Sequence, residues 1–113
     1  MATVEIEQAG GTWVVRAGGA VLGETSDALV VREEGHDDVI YFPRGDIAME
    51  FLDESDRRTT CPRKGEARYF DIVTKSTTLR NAAWSYESPN PVASRIAGHL
   101  AFAEGEKVAV ENI

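Results

Sequence analysis

Apolar and polar residues alternate with a period of two along most of the chain, which is typical of β-strands with one solvent-facing side. The alternation is clearest in TVEIEQ at residues 3–8, where Val4 and Ile6 are expected to point inward. TWVVRA and AVLGET follow, each behind a glycine pair suited to a tight turn. ALVVRE and DVIYFP add a second predicted hairpin, because both are rich in branched and aromatic residues.

The second half of the chain repeats this pattern. RRTTC, EARYFDIVT, AAWSYES and KVAVEN are predicted strands, and PRGDIAMEF allows at most one short helical turn. One short helix is expected near residues 91–99, where Val92, Ile96 and Leu100 follow Pro91 at helical spacing and Gly98 weakens the far end. The pattern therefore predicts a mainly β protein of about eight or nine short antiparallel strands and one short helix.

The stretch TTCPRKGEARYF, residues 59–70, contains the only cysteine of the chain. Residues 62–65 suit a four-residue hairpin loop, because proline presets a type I turn and glycine accepts the left-handed conformation that closes it. Lys64 is then either a solvated residue at the tip or a cation folded back toward Cys61. Cys61 is either a small buried residue or a thiol that a neighbouring cation activates.

Length and charge limit the classes of function. A chain of 113 residues forms one domain, 1–113, and a net charge of −7 disfavours nucleic acid as a partner. No apolar run reaches the length of a membrane span or a signal segment, so a cytoplasmic protein without a membrane partner is expected. A lone cysteine excludes an intramolecular disulfide, and His36 and His99 lack metal-ligand spacing, so no metal site is expected. Assembly into a homo-oligomer stays open.

Four segments carry a resemblance to a known family. YFPRGDI at 41–47, TTCPRKGEARYF at 59–70, AWSYESPNP at 83–91 and IAGHLAF at 96–102 resemble, in order and spacing, the bacterial family catalogued as domain of unknown function 427. The family pattern is Tyr-x-Pro-Arg-x-Asp, then Cys-Pro-Tyr-Lys-Gly, then Ala-Trp-x-Tyr. This chain departs from it by carrying Arg63 where the family usually has tyrosine.

The resemblance implies an Mss4-like, or β-tent, architecture in which two antiparallel sheets lean together. Relatives with this fold often pin the sheets with zinc, whereas here packing of residues such as Phe70, Trp84 and Phe102 would have to close them. The resemblance also implies a nucleotidyltransferase-like activity. The sequence offers little support for it, because the aspartates at 37, 38, 53 and 56 lie in turn-like segments without an Asp-x-Asp context.

Aromatic and charged residues of the matching motifs suggest a ligand pocket. Trp84 and Tyr86 lie two apart on one strand and share a face, where tyrosines of neighbouring strands could meet them. Buried Tyr and Trp need partners for their polar atoms, and Arg and Lys favour an anionic or carbonyl-bearing ligand. The candidate ligand-binding residues are Glu33, Tyr41, Arg44, Cys61, Lys64, Tyr69, Trp84 and Tyr86.

Three functions follow from these observations. The first is a cytoplasmic β-rich domain that binds a small polar or anionic molecule in an aromatic and cationic pocket. The second is an enzyme, nucleotidyltransferase-like or otherwise dependent on Cys61 or Lys64 as catalytic candidates. The third is an interaction module that recruits a protein through an edge strand or acidic face. No cofactor is expected in any of them.

Overall fold

A computed structural model describes residues 3–113 as an all-antiparallel β protein. Three short 3₁₀ helices, at Arg44–Asp46, Met49–Phe51 and Pro91–Ile96, interrupt the strands. The strands are β1 (Val4–Gln8), β2 (Trp13–Ala17), β3 (Ala20–Thr25), β4 (Leu29–Glu33), β5 (Val39–Tyr41), β6 (Leu52–Cys61), β7 (Gly65–Val73), β8 (Thr78–Ser85), β9 (Ala101–Phe102) and β10 (Val108–Asn112). Within residues 3–113, no helix is long and apolar enough to span a bilayer.

The strands form three sheets, in the orders β1-β4-β5, β10-β2-β3 and β6-β7-β8-β9. The mainly β prediction is confirmed, whereas the expectation of two sheets is wrong. The additional sheet is the β2–β3 hairpin, which β10 joins by pairing with β2, so that Val110 lies opposite Val15. A pairing over such a sequence distance leaves no local signal in either strand. The Mss4-like arrangement stays a prediction.

Two clusters of buried side chains hold the sheets together. The larger cluster includes Phe42 and Phe102, whose rings meet edge to face with centroids 5.7 Å apart. The smaller cluster includes Val31, Tyr41 and Tyr86. Apolar burial of this kind supplies most of the stabilisation of a fold without cross-links. The smaller cluster is the one that leads to the candidate site.

The predicted helix near 91–99 is a 3₁₀ helix that ends at Ile96. Its backbone kinks at Ala93, whose dihedral angles (φ −116°, ψ 19°) are not helical, and its buried residues are Ala93 and Ile96. The predicted apolar face, spaced by four, is therefore wrong at Val92, which is 56% exposed. The chain then turns at Gly98, whose φ of +73° favours glycine.

The hairpin expected in TTCPRKGEARYF is present with a shorter loop. Cys61 ends β6 and pairs with Gly65, the first residue of β7, which leaves three connecting residues instead of four. Gly65 has a φ of +109°, a conformation that other residues rarely adopt. The loop is thus tighter than its composition suggested, and this geometry determines where Lys64 points.

Candidate functional site

A cleft of about 510 Å³ opens beside the smaller core cluster. Strands β4 and β5 form one wall, the 62–64 loop forms a second, and residues of β7 and β8 complete it. We call it the Lys64 cleft. Of the residues that the sequence nominated, those lining it are Glu33, Tyr41, Cys61, Lys64, Tyr69, Trp84 and Tyr86.

Strand alternation explains how β4 and β5 contribute to this cleft. The cleft is lined by Val31 and Glu33 of β4 and by Val39 and Tyr41 of β5, every second residue of each strand. Val31 lies directly opposite Val39, so these side chains share one face of the pair. A one-residue change of register would move all of them to the other face.

Lys64 is the charged residue at the base of the cleft. It is only 8% exposed, and its ammonium forms an ion pair with the carboxylate of Glu33. The second Glu33 oxygen accepts a hydrogen bond from Arg63 Nη1 at 2.9 Å. The interpretation of Lys64 as a solvated tip residue is therefore wrong, and its ammonium turns back into the fold toward Glu33. Two cations around one carboxylate leave the group with a formal charge of +1.

The ionisation of Glu33 follows from this arrangement. Burial disfavours the carboxylate, but hydrogen bonds from Lys64 and Arg63 outweigh burial and hold the pKa of Glu33 below its ordinary value. Glu33 is therefore ionised at neutral pH. It balances one of the two cations and leaves the other charge available to a ligand.

Asn90 holds the 62–64 loop in place. Its side-chain amide donates to the carbonyls of Pro62 at 3.3 Å and Arg63 at 3.1 Å. Its backbone N–H donates to the Lys64 carbonyl at 2.9 Å. Three consecutive loop carbonyls are thus bound by one residue of the SPNP segment, which fixes the backbone from which Lys64 reaches Glu33.

The hydroxyls of the three cleft tyrosines have different partners. Tyr69 shares a hydrogen bond of 3.0 Å with Thr59, and Tyr41 accepts one of 3.2 Å from Trp84 Nε1. The Tyr86 hydroxyl forms no hydrogen bond within residues 3–113, although the residue is only 7% exposed. Across the same residues, every side-chain N or O atom sealed from solvent has a partner, so the Tyr86 hydroxyl is reached from open space.

Both Tyr41 and Tyr86 keep their phenolic protons. Burial raises the pKa of Tyr41 to about 12 and also raises the pKa of Tyr86. Tyr41 already accepts a hydrogen bond from Trp84, so its own proton is available to donate. The Lys64 ammonium lies 5.7 Å from the centre of the Tyr86 ring. The cleft therefore presents two phenolic donors beside a cation.

Arg44 does not line this cleft. Its guanidinium donates to the Gly98 carbonyl at 3.0 Å and to Ser85 Oγ at 3.4 Å, and it forms an ion pair with Glu87. Ser85 alternates with Trp84 along β8 and so projects from the opposite face of the strand. Arg44 therefore packs on the far side of β8.

Of the one cysteine and two histidines, Cys61 and His36 line the cleft and His99 does not. Cys61 is partly buried and lines the cleft together with His36, whereas His99 lies in the turn before β9 with its ring near the Ala97 carbonyl. In the part of the chain from 3 to 113, no three His, Cys, Asp or Glu side chains are grouped so as to hold a metal ion.

Sequence reasoning missed several residues of the site. Arg63 lines the cleft and pairs with Glu33, but in the sequence it is distinguished only by its departure from the family pattern. Asn81 also lines the cleft, at a β7–β8 bulge where its φ is +53°. The Asn-Pro pair at 90–91 marked a helix start but carried no sign that Asn90 would bind a loop far away in the chain.

Comparison with known proteins agrees with the motifs. A family model described as domain of unknown function DUF427 matches residues 5–112. The chain belongs to the DUF427 family. No curated protein matches the chain. Membership of DUF427 brings no ligand or reaction with it, so function has to be argued from the cleft itself.

Proposed function

We propose that this DUF427 protein binds a small molecule in the Lys64 cleft through an acceptor oxygen, either a carbonyl or an anionic group. The observation that carries the proposal is the Tyr86 hydroxyl, which belongs to a residue only 7% exposed, opens to solvent and forms no hydrogen bond within residues 3–113. A donor that faces a cleft without a protein partner is available to an acceptor group of a ligand.

Neighbouring donors support the same class of ligand. The Tyr41 proton is free because its oxygen accepts from Trp84, and the Lys64 ammonium has more donors than its contact with Glu33 uses. Arg63, Lys64 and Glu33 together carry +1, which favours an anion or a strongly polarised carbonyl beside them, while the exposed Asp37 brings the whole lining to neutral. The cleft volume of about 510 Å³ lies within the range of small-molecule sites.

Aromatic side chains would supply contact area for the rest of the ligand. The rings of Tyr69 and Trp84 lie with centroids 6.3 Å apart at a tilt of 37°. Trp84 is only partly buried, so part of its indole is available for stacking. A planar or ring-bearing molecule with one acceptor group at the Tyr86 end matches both features.

Titration with ring compounds that differ in their acceptor group tests the proposal. The probes are benzoate, benzamide and phenyl phosphate, and the signal is the fluorescence of Trp84 in a Trp13→Phe background. At least one probe is expected to bind saturably. Tyr86→Phe should weaken that binding about 3- to 10-fold through loss of one hydrogen bond.

Substitutions of two lysines distinguish ligand binding in the cleft from the general effect of removing a positive charge. Lys64→Met should weaken binding more than Tyr86→Phe does, because a charge-assisted contact is lost. Lys75→Met is the matched control, since Lys75 is exposed and does not line the cleft. The proposal is wrong if no probe saturates, or if both cleft variants bind as the control does.

The enzymatic function with Cys61 or Lys64, and the interaction module, stay predictions. The same holds for the cytoplasmic location and for the expected lack of nucleic-acid and membrane partners.

A further inference from the structure

A second cleft, of about 450 Å³, lies on the opposite face of the β4–β5 pair. It is lined by Val30 and Arg32 of β4 and by Ile40 of β5, the residues that alternate with those facing the Lys64 cleft. Trp13 and Val110 come from the β10-β2-β3 sheet and close it from the other side. We call it the Trp13 cleft. The two clefts use alternate residues of β4, but they adjoin and share Asp37, Val39 and Trp84 as lining residues.

The walls of the Trp13 cleft are aromatic and well fixed. Trp13 Nε1 donates to the Gly10 carbonyl at 2.8 Å, which fixes the edge of that indole. Trp84 lines both clefts, and its Nε1 is occupied by Tyr41, so the polar edge of this second indole has a partner as well. Phe102 adds a third ring. Aromatic faces carry the negative end of a quadrupole and attract cations.

The lining of the Trp13 cleft is negative, whereas the lining of the Lys64 cleft, with two cations (Arg63, Lys64) and two carboxylates (Glu33, Asp37), is formally neutral. The lining of the Trp13 cleft carries one cation, Arg32, and three carboxylates, Asp37, Asp38 and Glu104. Arg32 is already paired with Glu7 at 2.8 Å and with Asp38 at 3.3 Å. The lining alone therefore has a formal charge of −2, and Asp37 forms no ion pair within residues 3–113.

We propose that the Trp13 cleft is a binding site for an organic cation, such as a substituted ammonium group, seated between the Trp13 and Trp84 indoles and near Asp37 and Glu104. Rings attract the charge over their faces, while the carboxylates balance it from the rim. A small anion is disfavoured there by the negative lining, and a neutral molecule gains only apolar contact. This site does not depend on the Lys64 cleft having a ligand.

Binding of choline, followed through the indole N–H signals of ¹⁵N-tryptophan-labelled protein, tests the inference. Choline should shift the Trp13 signal saturably, because Trp13 lines this cleft and not the Lys64 cleft. The neutral alcohol in which carbon replaces the choline nitrogen has the same shape without the charge, and should bind about 10-fold more weakly.

Charge-neutral variants locate the site. Asp37→Asn and Glu104→Gln should each weaken choline binding about 3-fold, since each removes one carboxylate from an exposed rim where single charges have modest effects. Both residues are exposed, so the variants should fold. Asp53→Asn is the matched control because Asp53 is exposed and lines neither cleft.

Each outcome has a defined meaning. No saturable shift at Trp13, equal binding of the neutral alcohol, or equal binding by Glu104→Gln and the control would each overturn the inference. Lys75→Met should leave choline binding unchanged, because Lys75 is exposed and lines neither cleft, so a loss of binding in that variant also counts against it. Failure of the acceptor-bearing probes in the Lys64 cleft, by contrast, would contradict only the proposed function.

Discussion

The Lys64 ammonium is buried against the Glu33 carboxylate, and both side chains are about nine-tenths hidden from solvent. The pair joins the tip of the β6–β7 hairpin to the end of β4. Arg63 contacts the same carboxylate from a more exposed position, with 38% of its side chain accessible. Glu33 is the centre of this contact, because it pairs with two cations, whereas Lys64 and Arg63 each pair with one carboxylate.

Replacing Glu33 should therefore cost more stability than replacing Lys64. Glu33→Gln leaves the Lys64 charge buried without a counter-ion, and we expect a loss of about 3 kcal/mol in the free energy of unfolding. Lys64→Met should cost less, because Glu33 keeps Arg63 at 2.9 Å and the methionine fills the space with apolar atoms. Urea unfolding followed by tryptophan fluorescence measures both values.

An exposed pair provides the comparison for this prediction. Glu7→Gln breaks the contact with Arg32, whose side chain is 46% exposed, and should change stability by less than about 1 kcal/mol. Equal losses in the Glu33 and Glu7 variants would show that burial adds nothing to the Glu33 contact.

Acidic pH should remove the contribution of Glu33 to the free energy of unfolding. The pKa of its carboxyl is lower in the folded protein than its ordinary value of 4.5, so the unfolded chain binds this proton more readily. The stabilisation is thus complete above about pH 4.5 and is lost as the pH falls through the depressed folded value. Unfolding free energies of the wild type and Glu33→Gln, measured across acidic pH, should differ by a constant above pH 4.5 and converge below it. A difference that stays constant down to the lowest pH would contradict the prediction.

Alkaline pH should lower the stability of the fold through the ionisation of Tyr41. Its pKa rises from an ordinary 10.0 to about 12 in the folded protein, because burial disfavours the phenolate. The unfolded chain therefore loses this proton first, and stability should fall between about pH 10 and pH 12. In a pH titration, part of the phenolate absorbance should appear only well above pH 10. Tyr41→Phe should remove the share of this late absorbance that comes from Tyr41. Ordinary titration of all three tyrosines near pH 10 would argue that the cleft is fully hydrated.

Removing the side chain of Asn90 should loosen the 62–64 loop. Asn90→Ala deletes the two amide contacts to the Pro62 and Arg63 carbonyls but keeps the backbone contact to Lys64. We expect a stability loss of about 1 kcal/mol and faster hydrogen exchange at the Lys64 and Gly65 amides.

Asn112→Ala is the control for this loop effect. The Asn112 side chain, at the end of β10, donates to the carbonyl of Gly10 in the β1–β2 connection and forms no hydrogen bond with the 62–64 loop. Exchange at residues 64 and 65 should therefore match the wild type. Acceleration in both variants would mean that the loop responds to overall stability and not to Asn90.

Local pattern was sufficient for most strands. TVEIEQ and KVAVEN alternate because one side of each strand faces solvent, whereas TWVVRA is an apolar run in which both Val14 and Val15 are buried, and all three are strands in the structure. The same reasoning placed Trp84 and Tyr86 on one face, and both line the Lys64 cleft. Alternation is a property of neighbouring residues, so the sequence records it directly.

Arg44 shows where that reasoning ends. It lies in a matching motif beside Tyr41, but it reaches Ser85 and Gly98 on the other side of β8. Arg44 belongs to a 3₁₀ helix, and the assembly of the sheets decides which side of β8 this helix packs against. Motif membership therefore did not distinguish a cleft residue from one that joins two segments of the fold.

The amino-acid sequence by itself determined the β class, the positions of most strands and the residue types that surround the cleft, because these depend on contacts between near neighbours. Tertiary structure alone decided that Lys64 is buried, that Glu33 and Asn90 hold it, and that a second, negatively charged cleft adjoins the first. Lys64 is 31 positions from Glu33 and 26 from Asn90, and only the assembly of the sheets, driven by apolar burial, brings these residues together.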